Sequence, residues 1–256
     1  MTAESLQPAT EGTWWAKIRR ADKHLQEFIA ELARLQSLTV DFEVTTEHDV
    51  VAGVDLLIVH GYIDNVGTND LAAVVGDILS NTRDSLDHIM KGLTGRRRFN
   101  FPMLEEPDDQ YFGRATIGMA PEAKALVHSV QPFMNPEFGP KQDPLSVLRR
   151  MCNTDKHTTL HLLGTLICDP VSTLFINGEK IGEYNNTPSK YMSGGRIGNF
   201  AFPAQQNFTV TACGQVELWL TDAERLNLNW VIPDTLERIV KYVRERILEP
   251  LDPFTR

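Results

Sequence analysis

Asn81-Thr82-Arg83-Asp84-Ser85-Leu86-Asp87-His88 is the stretch on which the reading of the chain turns. It lies inside a run in which Leu71, Val75, Ile78, Leu79, Thr82, Leu86, Ile89 and Leu93 fall on one face at about 100° per residue, the mark of a long amphipathic helix. Asn69 or Asp70 can cap its start, and Gly92, Gly95 and Arg96 to Arg98 close it. The polar residues are ordered too. Asp77, Asn81, Asp84 and His88 are spaced four, three and four apart, a stripe opposite the apolar face, and Arg83 and Asp87 form an i, i+4 pair on the flank. On an ordinary surface helix these would be solvated ion pairs. On a helix central to a bundle, the stripe must face a partner or a cleft.

Working outward, an earlier helix is expected from about Trp14 to Gln36, with Ile18, Ala21, Leu25, Phe28, Leu32 and Leu35 as its apolar stripe. Val40, Phe42 and Val44 alternate with polar residues, and Val54 to Ile63 reads as the partner strand of an antiparallel hairpin. Phe99 to Gly118 reads as an ordered loop, Pro121 opens a short helix ending by Gln131, and Asp143–Pro144 opens another to about Asp155. Beyond Thr158 the character changes. Leu160 to Cys168 is nearly all apolar, Asn177–Gly178 signals a tight hairpin, and Val210 to Ala212 and Val216 to Leu220 flank a second one. Pro233–Asp234 starts a last helix with Leu236, Ile239, Val240, Val243 and Ile247 on one face.

The expected fold class is therefore α+β. A helical domain over 13–157 carries an inserted β-hairpin, and a β-rich region over 158–256 ends in a helix, the two separate or continuous. The long helices near 14–36 and 69–93 should pack antiparallel with the 144–156 helix crossing them. The C-terminal strands should form an antiparallel β-sheet covered by the 234–249 helix.

Length allows one large domain or two small ones, and a chain of 256 residues can bury a core without disulfides or metals. The net charge of −9 disfavours non-specific attachment to duplex nucleic acid or an anionic membrane, but leaves room for a local basic groove. No apolar run approaches ~18 residues, so no membrane span is expected. Met1 to Gly12 is polar and acidic, unlike a signal peptide. Cys152, Cys168 and Cys213 are scattered, which fits a reducing, cytoplasmic setting and gives no paired-cysteine metal motif. G-x-S-x-G and the P-loop are absent, and no cofactor is expected.

A second informative segment is Asn153-Thr154-Asp155-Lys156-His157. Leu145, Leu148, Met151 and Cys152 define the buried side of its helix, and the helical angle places Asp155 on that side. A buried aspartate needs a partner. Arg83, His88 or Asn81 of the long helix are the expected contacts. Asp155, His157 and His161, with His88, are also metal-ligand types. A helix-to-strand change between Lys156 and Leu160 spoils that spacing, and no H-E-x-x-H occurs, so no metal is expected. A metal-dependent hydrolase is the weakest of the readings.

Arg83-Asp84-Ser85-Leu86-Asp87-His88 resembles the R-x4-H motif of the HEPN superfamily, α-helical proteins of which many are metal-independent ribonucleases in toxin–antitoxin and defence systems. The layout from about residue 19 to 160 also resembles a group of uncharacterised bacterial and phage proteins. The shared features are Arg20-Ala21-Asp22-Lys23-His24-Leu25, the Gly76–Asp77 to His88 helix, the Phe101–Pro102 loop and the Asn153 to His157 segment. The HEPN resemblance implies a HEPN-like bundle and RNA cleavage by attack of the 2′-hydroxyl on the adjacent phosphate. His88 would be the acid–base group, Arg83 the phosphate donor, and Asp84 or Asn81 the group orienting His88. Asp87, Asp155, Lys156 and His157 would support the site, with Arg96 to Arg98 along the RNA path. It also implies a homodimer, since two motifs usually join across one. The competing reading is a non-catalytic binding or assembly protein of the same build.

Overall fold

The computed structural model describes residues 12–36, 41–49, 54–62, 68–96, 100–157, 162–168, 171–176, 179–185, 190–192, 195–202, 208–211, 214–220 and 232–255, with side chains over 12–34, 70–96, 100–155 and 232–255. The chain divides into two compact units. One draws on residues 1–28, 73–160 and 222–256, the other on 29–72 and 161–221.

In the first unit the regular structure is helical. It contains most of α1 (Thr13–Gln36) and of α2 (Thr68–Thr94), then α3 (Asp109–Ala115), α4 (Pro121–Ser129), a 3-10 turn at Pro132–Met134, α5 (Pro144–His157) and α6 (Ile232–Tyr242). α6 runs on without a break through a π-helical stretch, Val243–Leu248, a further α turn, Glu249–Leu251, and a 3-10 turn, Asp252–Phe254. Local chemistry sets the starts. Asp108 accepts the Tyr111 N–H at 2.8 Å ahead of α3, and Pro121 occupies the first turn of α4, where a missing N–H costs nothing. Asp143, fully buried, accepts the Leu145 N–H at 2.8 Å to begin α5 and is itself held by the Asn135 amide at 2.8 Å.

The periodic apolar faces fill the core. Ile18, Ala21, Leu25 and Phe28 of α1 are buried, as are Val75, Ile78, Leu79, Leu86, Ile89 and Met90 of α2. Leu145, Leu148 and Met151 of α5 join them, with Leu236, Ile239, Val240, Val243 and Ile247 of the last helix. Each of the larger of these side chains contributes about 1.5–3 kcal/mol on leaving water. Helix directions follow from the contacts. Thr13 meets His88 and Lys17 meets Asp84, so α1 and α2 run antiparallel. Cys152 reaches the Leu79 carbonyl at 3.7 Å and Asp155 lies over Gly76, so α5 and α2 run antiparallel as well. Gly76 allows that approach, because a Cβ there would stand 3.1 Å from both Asp155 carboxylate oxygens.

In the second unit, backbone ladders join β1 (Asp41–Asp49), β2 (Val54–Tyr62) and β7 (Gly195–Phe202) in one antiparallel set. β3 (Leu162–Cys168) lies between β6 (Lys190–Met192) and β9 (Gly214–Leu220), and β4 (Val171–Ile176) between β5 (Glu179–Asn185) and β8 (Phe208–Thr211). The side chains of these strands lie outside the described residues. The Asn177–Gly178 turn also lies outside them.

The α+β expectation of a bundle with a C-terminal antiparallel sheet is corrected by this architecture. The regular structure described with its side chains is helical throughout and holds no sheet. The last helix, expected over a C-terminal sheet, belongs to the helical unit and packs against α5. The physical reason is simple: the stripe from Leu236 to Ile247 fixes which face of that helix is buried, but an apolar stripe fits a helix as readily as a sheet. No helix among the described residues is long and apolar enough to cross a membrane.

The two ends of the helical unit are tied by one carboxylate. The indole N–H groups of Trp14 and Trp15 both donate to Asp252 Oδ1, at 2.8 and 2.9 Å. Asp252→Ala removes an acceptor shared by two part-buried donors and should lower stability by about 1–3 kcal/mol, read from urea denaturation. Asp252→Asn, which keeps one carbonyl oxygen, should lose less.

Candidate functional site

α2 carries its polar residues on two separate surfaces. Five residues at about 100° each place Arg83 and His88 some 140° apart around the helix. Arg83 shares its surface with Asp87, one turn on, and faces the Phe101–Met103 segment. His88 shares its surface with Asp84 and faces α1.

On the first surface Arg83 Nε donates to Asp87 Oδ2 at 3.4 Å, Nη2 to the Phe101 carbonyl at 3.3 Å and Nη1 to Met103 Sδ at 2.8 Å. Asp87 Oδ1 accepts the Phe101 N–H at 2.7 Å. One i, i+4 pair thus clasps the loop by both its N–H and its C=O. Burial pushes the Asp87 carboxyl above the ordinary range. The Arg83 charge and the Phe101 N–H pull against that, and the Asp84 charge adds to it. Burial winning over a cation in contact marks a poorly solvated spot.

Beside this clasp opens a cleft of about 450 Å³. Arg83, Asp87, Asn100, Tyr111, Arg149 and Asn153 contribute to its lining, with Asp108. Its charges balance. Arg83 meets Asp87, and Arg149 meets Glu105 at 2.6 Å, a carboxylate that Arg150 also contacts at 3.1 Å. The cleft offers fixed donors and acceptors with little net field.

On the opposite surface Lys17 Nζ lies 2.7 Å from Asp84 Oδ2, and His88 Nδ1 lies 2.9 Å from Thr13 Oγ1. The side chains of Lys17 and Asp84 are 35% and 42% exposed, so the pair is a surface one of small net value. His88 is engaged with the start of α1, and the Arg83 cleft is lined without it.

The remaining sequence-predicted residues are dispersed. Asn81 is buried and donates to the Asp77 carbonyl of its own helix at 2.8 Å. Asp155, expected on the buried side of α5, is exposed; it stands over Gly76, and among the described residues no hydrogen bond joins it to Arg83, His88 or Asn81. The antiparallel register of α5 sets Asp155 about two turns before Arg83 along α2. It therefore meets a glycine, and partial desolvation together with the charge of Asp77 pushes its carboxyl up. The side chains of Lys156 and His157, and residues Arg97, Arg98 and His161, lie outside the described residues. Among the described residues no group of three or more histidine, cysteine, aspartate or glutamate side chains gathers to hold a metal ion.

Arg149, Tyr111, Thr13 and Lys17 are the participants that sequence reasoning missed. The first two come from distant elements and carry no spacing signal. Thr13 and Lys17, four apart, could have been matched to Asp84 and His88 once antiparallel packing was assumed. No family model, no curated protein and no solved structure matches the chain. The HEPN resemblance therefore rests on Arg83 to His88 themselves.

Asp87→Ala should cost about 2–3 kcal/mol, because the Phe101 N–H and the Arg83 guanidinium both lose their acceptor. Asp87→Asn, which still accepts from Phe101, should lose less, and chemical denaturation separates the two. Asp155 gives a pH-dependent outcome. Its raised folded-state value makes the folded protein bind that proton more tightly than the unfolded chain does. Stability is then lost as pH rises through the interval between the ordinary and the raised value. Asp155→Asn should therefore melt higher than the parent at neutral pH, with the difference vanishing below about pH 3.9.

Proposed function

We propose that the protein is a non-catalytic binding protein and that the polar cleft beside Arg83 is its recognition site. The observation that carries this reading is the division of α2. The cation of the motif, Arg83, and its one group with acid–base chemistry near neutrality, His88, occupy different surfaces about 140° apart. General acid–base chemistry needs a group within hydrogen-bond reach of the reacting proton, and within one chain His88 is turned away from the Arg83 cleft. Recognition needs less. It needs donors and acceptors that do not reorganise, and the Asp87 clasp supplies them by fixing Arg83 against the Phe101 carbonyl. The balanced charge of the cleft favours a neutral or dipolar polar ligand over a polyanion.

The test is a metal-free incubation with single-stranded RNA, using the parent chain, Arg83→Ala and His88→Ala. The expected result is no cleavage by any of the three, and RNA retention that Arg83→Ala leaves unchanged. A HEPN-type ribonuclease would instead need His88 of a second copy to approach Arg83. Cleavage by the parent chain that is lost in both variants would overturn the binding reading and establish that one.

A further inference from the structure

The groups lining the Arg83 cleft fall into two sets. One set is already engaged. Arg83 is tied to Asp87 and to the Phe101 carbonyl, Asp87 to the Phe101 N–H, and Arg149 to Glu105. The other set is not. Asp108 Oδ1 accepts the Tyr111 N–H at 2.8 Å. Among the described residues, no hydrogen bond or ion pair uses its second oxygen, the Tyr111 hydroxyl, or the side-chain amides of Asn100 and Asn153. All four residues are exposed. Asn100 begins the loop after α2, Asp108 and Tyr111 stand at the start of α3, and Asn153 lies one turn beyond Arg149 on α5. The fold gathers them around one space of about 450 Å³, within the range of small-ligand sites.

These groups set narrow terms for a ligand. A side-chain amide offers a donor and an acceptor side by side, a phenol does both at one atom, and a carboxylate oxygen only accepts. The ligand must therefore donate and accept at several neighbouring points. It must also be uncharged, because Arg83, Arg149 and Arg150 stand against Asp87, Glu105 and Asp108 in and behind the wall. It should carry little apolar bulk, since Phe101, Met103 and Cys152 reach the lining but are buried. What remains for apolar contact is half-buried Leu104 and the flat face of Tyr111, which is 39% exposed. An aromatic face carries partial negative charge and takes polarised C–H groups.

We propose that this cleft binds a neutral saccharide of one or two sugar rings. Vicinal hydroxyls donate and accept at adjacent atoms, which matches Asn100, Asn153 and Asp108, and the C–H face of a sugar ring would lie on Tyr111. A phosphorylated sugar would bring an unbalanced charge, and an acyl chain would leave the amides unpaired. That assignment rests on the cleft being the recognition site proposed above and gives that site its ligand class.

The experiment is a proton–nitrogen correlation NMR titration of the full chain with glucose, galactose, mannose, N-acetylglucosamine, maltose and cellobiose. N-acetylalanine methylamide, a neutral amide, and glycine, a dipolar ion, serve as controls for the other chemistries a balanced cleft could take. At least one saccharide should shift the backbone signals of Asn100, Tyr111 and Asn153 with a Kd on the order of 1–10 mM, and both controls should bind at least about tenfold more weakly. Asn153→Ala and Tyr111→Ala remove exposed side chains and should melt like the parent, yet each should weaken the saccharide about tenfold. Tyr111→Phe, which keeps the ring face, should lose less, and Lys91→Gln, exposed elsewhere on α2, should lose nothing. The saccharide assignment is overturned by no sugar binding up to ~50 mM, by binding that leaves those three signals unmoved or ignores both alanine variants, or by a control binding as tightly as the best sugar. In that last case the cleft remains a recognition site for another ligand class. Metal-free cleavage of RNA by the parent chain would instead strike the recognition reading itself.

Discussion

The crowding of α2 is the constraint from which the helical unit follows. Its apolar arc, from Leu71 through Val75, Ile78, Leu79, Leu86 and Ile89, is buried. Gly76 and Leu79 meet α5, while Asp84 and His88 meet α1. Arg83 and Asp87 are left to face the loop at Phe101. A helix enclosed on so many sides cannot leave a polar group without a partner, because each one buried unpaired costs more than a hydrogen bond returns. Every polar residue of the 81–88 stretch is accordingly answered by its nearest neighbour. Thr82 and Ser85 bond back to α2 carbonyls, Asn81 does the same, and the four charged or titratable side chains divide between two surfaces.

This explains how much of the site was legible in the sequence. Helical periodicity gave the correct buried face of α2, and the i, i+4 relation of Arg83 and Asp87 was visible as a pair. The same arithmetic separates Arg83 from His88, yet the motif reading treated them as one centre. A spacing of five is compatible with a shared site only when a second surface folds around the helix or a second copy brings its own. For α5, the helical angle placed Asp155 on the buried side, whereas it stands exposed beside α2. Its counterpart there depends on the register between two helices, which no single-helix pattern encodes, and that register sets it opposite Gly76.

The fold class failed for a related reason. Amphipathic stripes report that a face is buried and say nothing of what buries it. The stripe on the last helix was assigned to a sheet because strand-like sequence precedes it. The helix instead packs on α5, whose own stripe of Leu145, Leu148 and Met151 required a partner. Chain order is a weak guide to neighbours once segments interleave. Here the helical unit is assembled from the beginning, middle and end of the chain, and the end is fastened to the beginning through Asp252 and the two tryptophans.

The two ends of α5 bear on two clefts of the helical unit, one beside Arg83 and one between the last helix and the segment following α4. At its start Asp143 is buried and hydrogen bonded to Asn135, which fixes the segment lining the last-helix cleft. Burial pushes the Asp143 carboxyl up even as Asn135 and the backbone N–H groups of Leu145 and Ser146 oppose it. Near its end Asn153 lines the Arg83 cleft, with Arg149 one turn earlier already committed to Glu105. Where cations are answered within the wall, as beside Arg83, a cleft discriminates by the geometry of fixed donors and acceptors.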